Sequence, residues 1–201
     1  TEEWNVCVPK RRAGHRYFSK YIPGTNSAVL GEVRAFDPLK AFFFEPREQV
    51  AQGFEPAIPS VGQKPFCLVG VKACDLKGFA IQDFVFGDHE LPDPFYKRAR
   101  DRNLIIASDC TCVVDTCFCL AMGVTPYPQE RFDINLAEVR GGFLVEVGSA
   151  KGQGLLDGHA SLFSEAKPGY VTERDDRRTH IVALVEENLK RHRIPRQDAL
   201  E

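Results

Sequence analysis

Four of the seven cysteines of this chain lie within ten residues, in the segment SDCTCVVDTCFCLAMG that runs from Ser108 to Gly123. Thiols this close together along the chain are unsuited to crosslinking distant parts of a fold as disulfides. Together with the odd total, this favours metal or redox chemistry in a reducing compartment. The fold must therefore present a loop in which Cys110, Cys112, Cys117 and Cys119 can approach one another.

The segments before this loop predict a parallel strand-helix-strand unit. The apolar run Phe66–Ala73 (FCLVGVKA) is typical of a buried strand, and Asp75 is the expected N-cap of the helix DLKGFAIQDFVF. A second helix beginning at Pro94 and a short strand over 104–107 follow. This order predicts an α/β (or α+β) fold with a small mixed sheet, whose strand ends carry the cysteine cluster.

The remaining elements are predicted from periodicity alone. They are a strand over Asn5–Val8, a helix over Glu45–Gly53, a hairpin of Phe132–Val139 with Gly142–Val147, and a closing helix over Asp176–His192. The most linker-like segment, Ala166–Arg178, is too short to mark a domain boundary. We therefore expect a single cluster-binding domain over residues 1–201.

Composition excludes several classes of partner. The formal net charge is −2 with acidic and basic residues interspersed, so no nucleic acid is predicted to bind. No apolar run reaches the roughly 20 residues of a membrane span, and residues 1–9 do not resemble a signal peptide. The sequence therefore predicts a cytoplasmic protein.

Catalytic motifs are not evident. The segment KGQGLLDGH lacks both the glycine spacing and the preceding strand of a dinucleotide-binding site. The five histidines lie in no nucleophile or metal motif; they are His15, His89, His159, His180 and His192. No independent catalysis is expected.

A fifth thiol joins the four in the loop if the two strands are parallel neighbours. Cys74 follows one strand and Cys110 the other, so both would lie at the same sheet edge. A 4Fe-4S cluster or a zinc ion needs four ligands, so one thiol is spare. Cys7 and Cys67 lie in apolar runs and are expected to be small buried hydrophobes.

The spacing CxCx4CxC leaves the metal open. It is neither the CxxC pair of zinc fingers nor the cysteine run of bacterial ferredoxins, and soft thiolates suit iron–sulfur clusters and zinc alike. A thiol–disulfide enzyme is a third possibility, but the chain lacks the CxxC expected at such a site.

Three segments resemble a known family. GVKACDLKGFAIQDFVF, DPFYKRARDRNLIIASDC and DTCFCLAMG are similar to the amino-terminal region of the beta subunit of cytoplasmic sulfhydrogenases and of the corresponding iron–sulfur subunit of anaerobic sulfite reductase. A weaker likeness in VPKRRAGHRYF and LKAFFFEPREQVAQGF extends the resemblance over most of Asn5 to Gly123. The closing helix also resembles that family's connector.

This resemblance implies electron transfer through 4Fe-4S clusters, from or to a flavin-bearing partner on one side and a catalytic hydrogenase or reductase partner on the other. The cysteine of the family's GVxxCD motif falls on Cys74, and its loop cysteines fall on Cys110, Cys117 and Cys119. These four are the ligands that the resemblance implies, with Cys112 as the substitute. Family members usually continue into a ferredoxin-like part, so this chain is expected to be a fragment or a short relative.

A structural zinc module is the alternative, in which the same thiols pin a loop for protein contact. If a cluster binds, Lys72 and Lys77 are expected to raise its reduction potential, and Asp75 and Asp109 to lower it. The expected role of the neighbouring apolar side chains is to cover the site from water, with partner docking as the other possibility; they are Phe118 and Met122.

Overall fold

A six-stranded mixed sheet forms the centre of the computed structural model, which describes residues 3–25, 28–44, 51–52, 55–56, 64–88 and 90–195. The strands of the described residues, in chain order, are β1 (Asn5–Arg12), β2 (His15–Lys20), β3 (Ala51–Gln52), β4 (Glu55–Pro56), β5 (Phe66–Val71), β6 (Leu104–Ser108), β7 (Ile134–Val139) and β8 (Gly142–Val147). The large sheet has the order β2-β1-β5-β6-β7-β8, and β3 pairs with β4 separately.

The four inner strands, β1, β5, β6 and β7, run parallel, and the edge strands β2 and β8 are added by antiparallel hairpins. The helices in the described part of the chain are α1 (Ala73–Gln82), α2 (Pro94–Arg102), α3 (Ala150–Gly158) and α4 (Pro168–His192). Because β5 reaches its parallel neighbour β6 through α1 and α2, the predicted crossover and the α/β class are confirmed.

Several predicted boundaries differ from the structure. The N-cap prediction for Asp75 is wrong, because α1 begins at Ala73 and Asp75 lies in its first turn. Most of the linker-like segment is the first part of α4, which begins at Pro168. The predicted helix Glu45–Gly53 lies outside the described residues, except for 51–52, which are strand.

Apolar side chains on β5 and β6 pack with α1 and α2 in one buried core. Leu68 and Val71 have no exposed surface, and Phe43 packs edge-on against Phe79 with ring centroids 4.6 Å apart. Such aromatic pairs stabilise a core beyond the area they bury. Cys67 is one of the buried core residues, and burial raises the pKa of its thiol to about 12.

The predictions for the two amino-terminal cysteines are confirmed. Cys7 and Cys67 are 7% and 5% exposed, and burial raises the pKa of both thiols. A neutral thiol in an apolar core acts as a small hydrophobe.

A π-helical turn over Asp83–Gly87 extends α1 and carries the carboxylate that fixes α2. Asp83 accepts hydrogen bonds from the Tyr96 hydroxyl at 2.6 Å, from Arg100 Nε at 2.9 Å and from Arg131 Nη1 at 2.8 Å. Burial alone would raise the pKa of this carboxyl, but the bonds from Arg100 and Tyr96 outweigh it and hold the pKa below its ordinary value.

Replacing Asp83 by Asn should lower the free energy of unfolding by about 1–3 kcal/mol, because two guanidinium groups lose their charged acceptor. The wild-type advantage exists above the ordinary carboxyl pKa and disappears as the pH falls through the lowered one. Urea unfolding of both proteins at neutral pH and in acid measures this difference. Equal midpoints at neutral pH would contradict the assignment.

Candidate metal centre

The candidate metal centre lies where the parallel strands β5 and β6 end. Cys74 lies in the first turn of α1, three residues after β5, and Cys110 lies two residues after β6. Val71 is paired with Ala107, so the chain leaves both strands at the same edge of the sheet. The carboxyl edge of parallel strands is where α/β sheets bind ligands.

The cysteine loop, defined here as residues 109–127, is closed at its base by backbone hydrogen bonds. The Cys110 N–H donates to the Pro126 carbonyl at 3.0 Å, and the Asp109 N–H donates to Leu136 on β7 at 3.1 Å. Inside the loop, the Val114 N–H points at the Cys117 sulfur, 3.4 Å away. Hydrogen bonds to cysteine sulfur are among the contacts that set the reduction potential of iron–sulfur clusters.

The thiols at this edge influence one another. Burial raises the pKa of Cys74 to about 12 and that of Cys110 to about 11, and nearby Cys119 contributes to both shifts. Cys117 and Cys112 add smaller contributions at Cys110. Burial, followed by Cys117, also raises the pKa of Cys119. The five cysteines named from the sequence therefore share one region, although part of Cys74 reaches solvent.

The structure does not set these thiols at coordinating positions. In the described part of the chain, no three histidine, cysteine, aspartate or glutamate side chains are arranged to hold a metal ion. The predicted ligand set therefore stays a prediction; it consists of Cys74, Cys110, Cys117 and Cys119, with Cys112 as the substitute.

A buried ammonium group lies beside the thiols. Lys72 is 1% exposed, and its Nζ donates to the Leu30 carbonyl at 2.6 Å, the Ser108 hydroxyl at 2.8 Å and the Asp109 carbonyl at 2.9 Å. These acceptors are neutral. Burial lowers the pKa of Lys72, while Cys110 is the largest of the influences that raise it. A buried cation is costly, and negative charge on neighbouring groups, such as the Asp109 carboxylate and thiolates at this edge, would offset that cost.

The chemistry of these groups fits a thiolate-bound metal centre. A cluster or ion held by four thiolates is net negative, and Lys72 places buried positive charge against the residues that would hold it. The Val114 N–H directed at Cys117 also places partial positive charge beside a proposed ligand. The residues present therefore suit an iron–sulfur cluster by donor type and by charge.

The remaining charged and apolar residues named from the sequence differ in how exposed they are. Lys77 is exposed, whereas the Asp75 carboxylate is 7% exposed and lies 3.6 Å from the Arg34 guanidinium. Phe118 and Met122 are 53% and 52% exposed, so neither belongs to the core. Their expected role as a cover over the site stays a prediction.

Two contacts to the loop were not predicted from the sequence. The segment after β2 crosses this edge, where the Thr111 N–H donates to the Gly31 carbonyl at 2.6 Å and the Ser108 hydroxyl donates to Leu30 at 2.7 Å. On the other side, Arg178 of α4 binds the Asp109 carboxylate. No sequence motif marks these residues, because their contacts depend on long-range packing.

Comparison with known proteins finds similarity to a hydrogenase subunit. Sulfhydrogenase 2 subunit beta of Pyrococcus furiosus is 35% identical to this chain over 165 residues, which are 82% of this chain and 47% of that protein. The chain thus spans about half the length of this relative. No family model matches the chain, and no solved structure matches it. The resemblance to the sulfhydrogenase beta subunit is confirmed, and the resemblance to anaerobic sulfite reductase stays a prediction.

Within the described residues, none of the helices combines the length and the apolar character needed to cross a membrane. The predicted cytoplasmic location stays a prediction.

Replacing Gly31 by Ala should displace the loop, because a Cβ at this position would overlap the Thr111 side chain. We expect a loss of about 1–3 kcal/mol in the free energy of unfolding. Gly78, inside α1, is the matched control: nothing lies within 4 Å of a Cβ there, so Gly78→Ala should stabilise the helix by about 0.5–1 kcal/mol. Urea unfolding measures both, and a neutral Gly31→Ala variant would contradict the close contact.

Proposed function

This chain belongs to the family of sulfhydrogenase beta subunits, and we propose that it holds a 4Fe-4S cluster and relays electrons within an oxidoreductase complex. The proposed ligands are Cys74, Cys110, Cys117 and Cys119. The proposed partners are a flavin-bearing subunit on one side and a catalytic hydrogenase or sulfur-compound reductase subunit on the other. Residues 1–201 act as one cluster-binding domain with no bond-making chemistry of its own.

The observation that carries this proposal is the buried Lys72 ammonium beside the cysteine loop. Its hydrogen-bond acceptors are the neutral oxygens of Leu30, Ser108 and Asp109. None of these acceptors is charged, so the hydrogen bonds solvate the buried cation without neutralising it. A net negative thiolate centre supplies the compensating charge, and the cation in turn makes electron uptake by that centre easier.

The cluster, when bound, supplies one-electron redox chemistry. The chain's own residues provide the four thiols, the backbone N–H that points at Cys117, and a cation in the protein interior. Within the loop, Leu120 and Ala121 are buried against Val185 and Leu189 of α4, which limits access of water from that side. Half-exposed Phe118 and Met122 lie in the same loop, within reach of a docking partner.

The partners are proposed from the relative's name, which describes it as a subunit of a sulfhydrogenase. A protein that relays electrons must have a donor and an acceptor, and a flavin can divide two-electron chemistry into the single electrons that a cluster carries. The complex proposed for this chain therefore has at least two other redox components.

Single cysteine-to-serine variants test the ligand set. After anaerobic reconstitution with iron and sulfide, the wild-type chain should hold about four irons. Cys74→Ser should lose most of them, because a serine oxygen is a harder and weaker ligand for iron in a sulfur cluster. Cys112→Ser should keep the wild-type content.

Iron and acid-labile sulfide are assayed on the same samples, with Cys67→Ser as the control for a buried cysteine away from the loop. If Cys74→Ser keeps its full iron content and Cys112→Ser loses it, Cys112 takes the place of Cys74 in the ligand set. If the wild-type chain binds zinc tightly and takes up no iron, the electron-transfer proposal is wrong and a structural zinc module is favoured.

Replacing Lys72 by Met should make the reduction potential of the loaded chain more negative, because a buried positive charge near the centre is removed. Lys77→Met is the matched control, since Lys77 is exposed and solvent screens its charge. Spectroscopic redox titration measures both potentials. Equal shifts in the two variants would contradict the role given to the buried ammonium.

A further inference from the structure

Arg178 on α4 contacts both ends of the cysteine loop. Its Nε and Nη2 donate to the Asp109 carboxylate at 2.7 and 3.2 Å, one residue before Cys110. Its guanidinium also lies over the Tyr127 ring, 4.5 Å from the centroid, at the far end of the loop. Because Cys110 already bonds to Pro126 across the base, the guanidinium closes the loop at the same place.

The Asp109 carboxylate also accepts a hydrogen bond from the sheet. Asp109 Oδ1 accepts from Asn135 Nδ2 on β7 at 2.9 Å, and the Glu146 carboxylate on β8 accepts from Arg178 and from the same Asn135 amide. The Asp109 side chain is 9% exposed and that of Arg178 is 15% exposed. Charge-assisted bonds in such an environment fix geometry more firmly than surface ion pairs do.

The carboxyl-terminal half of α4 packs along the rest of the loop. Asn188 donates to the Val114 carbonyl at 2.8 Å. An apolar cluster joins helix and loop: Leu120, Ala121, Val185 and Leu189, with Cys117 and Cys119 packed against it. A cavity of about 340 Å³ lies between α4 and the loop and is lined partly by Cys110. The helix is therefore a wall of the candidate metal centre.

We propose that Arg178 is a positioning residue. It holds Cys110 in place through Asp109, and it tunes the reduction potential of the metal centre. This inference rests on the proposed function. Without the guanidinium, the Asp109 carboxylate loses its salt bridge one residue from a proposed ligand and keeps only the Asn135 hydrogen bond and the nearby Lys72 charge, and the loop base loses its link to Tyr127. A cluster held there should be lost more readily and should be harder to reduce.

The test compares Arg178→Met and Arg178→Lys with wild type, and uses Arg177→Met as the matched control. Arg177 neighbours Arg178 on α4 and lines the same cavity, but its side chain is 46% exposed, so solvent screens its charge, and its ion pairs are with Glu173 and Glu138, outside the cysteine loop. Each chain is reconstituted anaerobically with iron and sulfide. The rate of cluster loss to an iron chelator and the reduction potential are then measured.

We expect Arg178→Met to lose its cluster roughly 10–100-fold faster than wild type, as for other residues that orient metal ligands. Its potential should be more negative than that of the wild-type chain. Arg178→Lys retains the charge but not the bidentate fork, so its potential should stay near wild type while its cluster is lost several-fold faster. Arg177→Met should match wild type in both measurements.

Four results would overturn the inference. Arg178→Met could match Arg177→Met in both measurements, or it could lose its cluster faster at an unchanged potential, which indicates a purely structural role. If Arg178→Met does not fold, Arg178→Lys decides, and a wild-type rate of cluster loss in that variant counts against positioning. A wild-type chain that takes up no cluster overturns the proposed function, and this inference with it.

Discussion

The site depends on the hydrogen bonds of one buried ammonium group. Lys72 lies between the end of β5 and the start of α1, and its Nζ binds oxygens of Leu30, Ser108 and Asp109. It thereby joins the segment after β2 to the end of β6, directly before the cysteine loop. A buried cation must be solvated by the protein itself, so these segments cannot separate without leaving the charge unsolvated.

This constraint explains how an ordinary α/β fold can support a loop rich in thiols. Because β5 and β6 are parallel, Cys74 and Cys110 lie at one edge of the sheet. Helix α4 packs against the loop. Lys72, at the end of β5, and Arg178, on α4, both bind Asp109 at the start of the loop. The arrangement is suited to an anionic centre whose charge changes by one electron.

The sequence predicts the crossover and the cysteine edge because both depend on local patterns. Apolar runs mark β5 and β6, and Pro94 marks the start of α2, whose cap is Asp93. Asp75 fits the cap pattern equally well, but α1 starts two residues earlier, so this carboxylate is drawn into the first turn and pairs with Arg34. Residue propensity alone cannot distinguish these positions.

The contacts of Gly31, Arg178 and Asn188 could not be predicted in the same way. Each joins the cysteine loop to a distant part of the chain: Arg178 lies 69 residues from Asp109, and Asn188 lies 74 residues from Val114. Such contacts depend on how the sheet and α4 pack, which no short motif records. The linker-like composition at the start of α4 also conceals a helix, because polar residues suit its exposed face.

The proposed iron–sulfur cluster lies at the edge of the sheet where β5 and β6 end. An anaerobic absorption spectrum of the reconstituted wild-type chain, before and after dithionite, tests it most directly. A cluster at this edge should give broad visible absorption that bleaches on reduction, with about four irons and matching sulfide in each chain. A featureless spectrum after reconstitution, with zinc or no metal bound, would contradict it.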